Sequence, residues 1–264
     1  MTIKINDIAL HYEALGQGNP LILIGGLTAN CREWLQMEQA LAKTFTVYKP
    51  DNRGAGETTG SCDAFTIEQM ADDIAAFLQA LNIPSAYMVG HSMGGAILQR
   101  VCMRHPSRVK AAIIASSFAA FPYAAQLYIE NTATLIKAGL PLQTVLDIIS
   151  TRLYGSSFLM NHEKMALEYK RLLTDKAPQS PENYWAQVMA IKHFDASHDL
   201  GNIKCPTLIL NGEMDVLTPT YLSEALCQGI KKAQLTLIPD CGHMIPQEKP
   251  EAFVDIILDF FNGR

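Results

Sequence analysis

Short apolar runs that alternate with helix-spaced segments leave a chain few architectures to choose from. PLILIGG (20–26), FTVYKPD (45–51), SAYMVG (85–90), VKAAIIAS (109–116), PTLILNG (206–212) and QLTLIP (234–239) each have the length and composition of a buried strand. Residues 2–5 and 8–14 read as a hairpin turning at Asn6-Asp7. Helices are expected from about 31 to 43, from Thr66 onward, over 93–104 and over 251–261. Thr66 with Gln69 forms a capping box, after which Met70, Ile74, Phe77, Leu78 and Leu81 share one face. A further helix is expected after the strand 206–212, with Thr218 as its cap and Pro219 at its first position. This alternation predicts an α/β fold: a mostly parallel sheet of about eight strands with helices on both faces.

One stretch breaks the alternation. Residues 119–203 contain no clear strand but four helical patterns, Ala124–Ala138, Leu142–Leu153, His162–Leu173 and Pro181–Ile191. The expected organisation is therefore a core formed by 1–118 and 204–264, with 119–203 inserted as a helical cap. Open α/β sheets bind ligands at the C-terminal ends of their strands, and a cap over that end would control access.

Gly90-His91-Ser92-Met93-Gly94 fits G-x-S-x-G and stands between a strand and a helix. In that setting a serine sits on a sharp, strained turn that exposes its hydroxyl above the sheet. A serine hydroxyl needs a base, and the base needs an orienting acid. On this architecture they follow the serine in the order acid, then histidine. Asp215, just past the strand 206–212, is the candidate acid, with Glu213 and Asp199 as rivals. His243, in the loop after the last strand, is the candidate base. Of the other histidines, His91 lies in the elbow, His105 at a helix end, and His193 and His198 in the helical segment, where they could line a pocket. The backbone N–H groups of Met93 and of Leu27, beside Gly25-Gly26, are the candidate oxyanion donors.

Composition narrows the partners. The 264 residues carry a formal charge of −5 with no basic block, so neither nucleic acid nor an anionic membrane surface is expected. No apolar stretch approaches membrane-spanning length, and MTIKINDIALHYEALG does not look like a signal peptide, so a cytoplasmic address is expected. Cys31, Cys62, Cys102, Cys205, Cys227 and Cys241 lack metal-site spacing and read as free, mostly buried thiols. Over 119–203, seven Lys and Arg face eight Asp and Glu, among many Leu, Ile, Ala, Met, Phe and Tyr. That balance suits an uncharged, apolar acyl group better than a polyanion.

LILIGGLTANCREW (21–34), DNRGAGET (51–58), GHSMGG (90–95), NGEMDVLTP (211–219) and CGHMIPQEKP (241–250) together resemble the α/β-hydrolase superfamily, in its small esterase-like branch. The resemblance spans essentially the whole chain. Gly25 stands where the family usually has histidine. The resemblance implies a helical cap, no cofactor, and supporting places for Asp51 and Arg53 in a loop near the site; no metal site is expected either. The resemblance also implies serine-ester chemistry through an acyl-enzyme, and with the apolar composition of 119–203 the expected substrate is a carboxylic ester of a small to medium, largely apolar acyl group. Enol-lactones, acyl methyl esters and carbon–carbon bonds are alternative substrates, and a slow-turnover small-molecule sensor is an alternative role. Either a monomer or a homodimer fits the sequence.

Overall fold

The computed structural model describes residues 1–60 and 64–262. Nine strands are found among them: β1 Thr2–Ile5, β2 Ile8–Leu15, β3 Asn19–Ile24, β4 Phe45–Pro50, β5 Thr59–Gly60, β6 Ala86–His91, β7 Val109–Ala115, β8 Thr207–Gly212 and β9 Ala233–Ile238. They form one sheet in the order β1-β2-β4-β3-β6-β7-β8-β9, with β5 paired to β2. From β4 to β9 every pairing is parallel, while β1, β2 and β5 make the antiparallel edge.

The period-2 alternation of strands splits the apolar side chains between two cores. Ile22 and Ile24 of β3, Met88 of β6 and Ile114 of β7 face one side. There they meet α2 (Ile67–Ala80) and α3 (Met93–Arg104) through Ile74, Phe77, Ile97 and Val101. Leu21, Leu23, Val89 and Ile113 face the other side. Their partners are α1 (Glu38–Leu41), through Leu41, and α11 (Pro250–Asn262), through Phe253, Ile257 and Phe261. Each such side chain, fully buried, contributes roughly 1.5–3 kcal/mol. The Thr66 hydroxyl caps α2 by accepting the Gln69 N–H, as the sequence predicts.

Between β7 and β8 the chain forms α4 (Tyr123–Lys137), α5 (Leu142–Leu153), α6 (Ser156–Met160), α7 (His162–Leu173) and α8 (Pro181–Lys192). The two ends of this segment meet: Ala120 bridges Asp195, and the Ala196 N–H donates to the Ala119 carbonyl at 2.8 Å. After β8 come α9 (Thr220–Gly229) and α10 (Ile245–Glu248).

Two expectations need correction. Residues 31–43 are not one helix but a 3₁₀ turn, Cys31–Trp34, followed by the short α1. Trp34, Met37 and Leu41 have helical spacing, yet the first turn is committed elsewhere. Cys31 donates its N–H to Asp51, and Glu33 is drawn down to His91. Nor does Thr218 cap a helix: α9 begins at Thr220, after Pro219. The five described cysteines are free; Cys31, Cys102 and Cys241 are buried, Cys205 and Cys227 partly so. Cys62 lies outside the described residues. Among the described residues no helix is long and apolar enough to cross a membrane.

Candidate functional site

Parallel strands bring their C-terminal ends to one edge of the sheet. The loops that leave β3, β6, β8 and β9 there carry Leu27, Ser92, Asp215 and His243.

Ser92 joins β6 to α3 with φ 54° and ψ −118°, a conformation that costs a non-glycine residue about 1–3 kcal/mol. Surrounding bonds hold it there. Its N–H donates to the Ala115 carbonyl at 2.9 Å, and its carbonyl accepts the Ser117 hydroxyl at 2.8 Å. The flanking glycines are a packing requirement. A Cβ on Gly94 would lie 2.0 Å from the Ile24 carbonyl oxygen, and one on Gly90 would lie 2.3 Å from that of Gly94. The elbow closes only if both positions lack side chains.

Ser92 Oγ lies 3.0 Å from His243 Nε2. On the far side of the ring, Nδ1 donates to Asp215 Oδ2 at 2.8 Å. The other Asp215 oxygen accepts the N–H groups of Leu217 and Thr218 at 2.9 and 2.8 Å. Thr218 also gives its hydroxyl to Asp215 Oδ2 at 2.7 Å, and that hydroxyl lies 3.2 Å from His243 Nδ1. Thr218 is thus part of the site, a role that its pattern as a helix cap concealed. Burial pushes the Asp215 carboxyl up, but the His243 charge and hydrogen bond, with the Thr218 hydroxyl and N–H bonds, outweigh it and hold the group below its ordinary value. Asp215 is therefore favoured as a carboxylate facing the Nδ1 side of the ring.

The rival acids lie elsewhere. Glu213 is exposed, and Asp199 pairs with Arg100 at 3.0 Å. His105 pairs with Asp72. His193 and His198 are exposed and do not line the cavity. His91 is buried between Glu33 and the His243 carbonyl, at 2.6 and 2.8 Å. Burial alone would lower its pKa, but the Glu33 carboxylate and the His243 carbonyl raise it.

Leu27 borders the cavity that Ser92 opens into, and Met93 is the first residue of α3. Neither backbone N–H is bonded to another described residue, as expected of Met93 at a helix start. Asp51 accepts from Cys31, His11 and Glu57, and Arg53 bonds Asp7 and Asp73. Both sides of that loop are structural braces. His11, Cys31 and Asp51 each bring a potential metal-ligating atom within 4.8 Å of the others, but the Asp51 oxygens and His11 Nδ1 are already engaged in these bonds.

Glu248 braces the base loop. Its carboxylate accepts the N–H groups of Gly155 and Gly242 at 2.9 Å and of Met244 at 3.2 Å. Burial still pushes its pKa up against those donors. Glu248→Leu would strand the Gly155 and Gly242 N–H groups, at about 1–3 kcal/mol each, while the Met244 N–H keeps its bond to the Leu153 carbonyl. We expect it to lose on the order of 3 kcal/mol in urea unfolding. A loss below about 1 kcal/mol would show that water replaces the carboxylate without penalty.

The cavity above Ser92 has a volume of about 290 Å³. Its wall is mostly apolar, with Phe118, Phe121, Tyr128, Ile129, Leu146 and Ile149 on it. Most of these belong to α4 and α5, so the helical segment forms much of the wall. Glu33, Glu168, Arg171 and Asp175 also line it.

Residues 19–250 match the family described as alpha/beta hydrolase fold. A relative provisionally named carbamate hydrolase, RutD of Caulobacter sp. (strain K31), is 28% identical over 246 residues, 92% of this chain and 91% of that one. The 3-oxoadipate enol-lactonase 2 of Acinetobacter baylyi is 27% identical over 266 residues, 99% of this chain and 97% of that one. Among solved structures, a thermophilic esterase from Thermogutta terrifontis superposes with a TM-score of 0.88 at 28% identity, covering 100% of this chain and 98% of that one.

Proposed function

The chain belongs to the alpha/beta hydrolase fold family, and from that premise we propose that it is a serine hydrolase cleaving carboxylic esters of small to medium, largely apolar acyl groups. The observation that carries this reading is the chain of hydrogen bonds from Asp215 through His243 to a strained Ser92.

In the proposed cycle His243 Nε2 takes the Ser92 proton as Oγ attacks the ester carbonyl. The oxyanion that forms is stabilised by the Leu27 and Met93 N–H groups. Asp215 stabilises the imidazolium, which then gives its proton to the leaving alcohol. Water, deprotonated by the same ring, attacks the acyl-enzyme and frees the acid. Ser92, His243 and water thus handle every proton and electron pair. An enol-lactone is a cyclic ester and would pass through the same steps, which fits relatives named as an enol-lactonase and an esterase.

The cap reading, with 119–203 roofing the site, is supported by the α4 and α5 side chains on the cavity wall. At about 290 Å³ the cavity lies at the small end of ligand pockets, which run from about 300 to 1,000 Å³. Its apolar wall favours an uncharged acyl chain.

Hydrolysis of p-nitrophenyl esters from acetate to palmitate tests the assignment. We expect a rate optimum between butyrate and octanoate, and a fluorophosphonate that attaches to Ser92 and stops turnover. A rate still rising at palmitate would overturn the acyl size. Very slow turnover of all esters and lactones, with a large ligand-induced rise in Tm, would replace the enzyme with a small-molecule receptor.

A further inference from the structure

The cycle above leaves the buried carboxylate of Glu33, beside the elbow, unused. Glu33 has a side chain only 3% exposed. Its Oε1 lies 2.6 Å from His91 Nδ1, and its Oε2 accepts the Gly26 N–H at 3.3 Å. His91 in turn donates from Nε2 to the backbone carbonyl of His243 at 2.8 Å. The main-chain carbonyl of Glu33 accepts the Gln247 side chain at 2.9 Å, which ties it to α10.

These contacts join three loops at one point. Gly26 precedes Leu27, His91 precedes Ser92, and His243 is reached directly. Both neighbours of the His91 ring are acceptors, so the ring serves as a two-ended donor only while a negative charge sits at Glu33. A carboxylate is therefore the fitting group at position 33, beyond its size.

Gly25 shows how closely the carboxylate is seated. A Cβ there would lie 2.6 Å from Glu33 Oε2 and 2.9 Å from Ala29 Cβ. Any side chain at 25 would displace the carboxylate, so the glycine and the glutamate go together. The Gly25 carbonyl is held separately, by the Asn52 side chain at 2.9 Å.

We propose that Glu33 is a positioning residue, which through Gly26 and His91 holds the Leu27 N–H and the His243 ring in register with Ser92. The proposal rests on the serine-hydrolase reading for its kinetic consequences. It does not predict a role in acyl selection. A group that aligns the oxyanion donor and the base acts on the transition state more than on the bound ester.

Glu33→Gln keeps the shape and removes the charge. We expect kcat for a p-nitrophenyl ester to fall 10- to 100-fold, with KM and the acyl-length optimum within twofold of wild type. Affinity for a trifluoromethyl ketone, which mimics the tetrahedral state, should fall by the same factor as kcat. Binding of the product acid should not change. Glu33→Asp, which keeps the charge, should recover most of the loss, a rescue that a purely structural role would not give. Unchanged kcat in Glu33→Gln, or a loss confined to KM, overturns the proposal. So does a loss that disappears when rates are divided by the fraction of sites a fluorophosphonate titrates. Amide NMR without substrate keeps this separate from the function assignment. If the wild type hydrolyses nothing, the hydrolase reading fails. Glu33 is then judged by the Leu27 and His243 amide shifts in Glu33→Gln: displacement of both supports positioning, and unchanged shifts overturn it. If Glu33→Gln does not fold, His91→Gln, which can donate at only one of the two ends of the link between Glu33 and the His243 carbonyl, is read in its place: a displaced His243 amide, with a loss of kcat in an active enzyme, supports the proposal, and wild-type values in both refute it.

Discussion

Asp215→Asn is expected to lower kcat by about 10⁴-fold with little change in KM. The reason lies in how the carboxylate is already bonded. Asp215 Oδ1 takes the Leu217 and Thr218 N–H groups, so the asparagine oxygen will keep that side. Its amide nitrogen then falls where Oδ2 stood, 2.8 Å from His243 Nδ1. A donor now faces a donor. The ring responds by moving its proton to Nε2, the nitrogen that must accept from Ser92. The geometry survives and the base is lost. Rates across pH 7–9 with a p-nitrophenyl ester check this, and a loss under tenfold would mean that Asp215 does not set the tautomer.

Ser92→Ala is expected to remove about 10⁶-fold of kcat, leaving what the oxyanion donors and binding supply alone. Stability should behave differently. Alanine keeps the Cβ and with it the strain of φ 54°, and among the described residues it surrenders just the Oγ hydrogen bond to His243. Ser92→Gly should be just as inactive yet more stable than Ser92→Ala by about 1–3 kcal/mol, because glycine adopts this backbone freely. Urea unfolding of the two variants measures that difference. Equal stability would show that the elbow is not strained. Residual turnover near wild type in either variant would move the nucleophile elsewhere.

What a single sequence discloses here follows the range of the interactions. The bounds of α5 and α7, Leu142–Leu153 and His162–Leu173, can be read directly because helical periodicity is a local signal. Ser92, Asp215 and His243 are legible for a different reason: each follows a strand, and the fold dictates their order. Thr218 is misread because its local pattern, a threonine before a proline, is that of a cap, while its hydroxyl is taken by Asp215. The two-residue β5 has no period to detect. The broken helix at 31–43 and the Glu33–His91 pair share one cause. Glu33 answers to a partner 58 positions away, and no local pattern encodes that contact. Glu248 lies within a segment that the family resemblance highlights, but its work is done on backbone N–H groups, which carry no sequence signal.

The end of α5 has a consequence for traffic through the site. The Leu153 carbonyl accepts the N–H groups of both His243 and Met244, at 2.9 and 3.2 Å. Gly155, two residues on, is fastened to the same loop through Glu248. If the helical layer is the proposed roof and swung open at this corner, it would drag the His243 ring away from Ser92 with each breath. Access and chemistry would then compete for one movement. On the proposed cap and mechanism, this corner would stay fixed like the jamb of a doorway, and ligand passage would fall to the edges of the helical layer that do not hold His243.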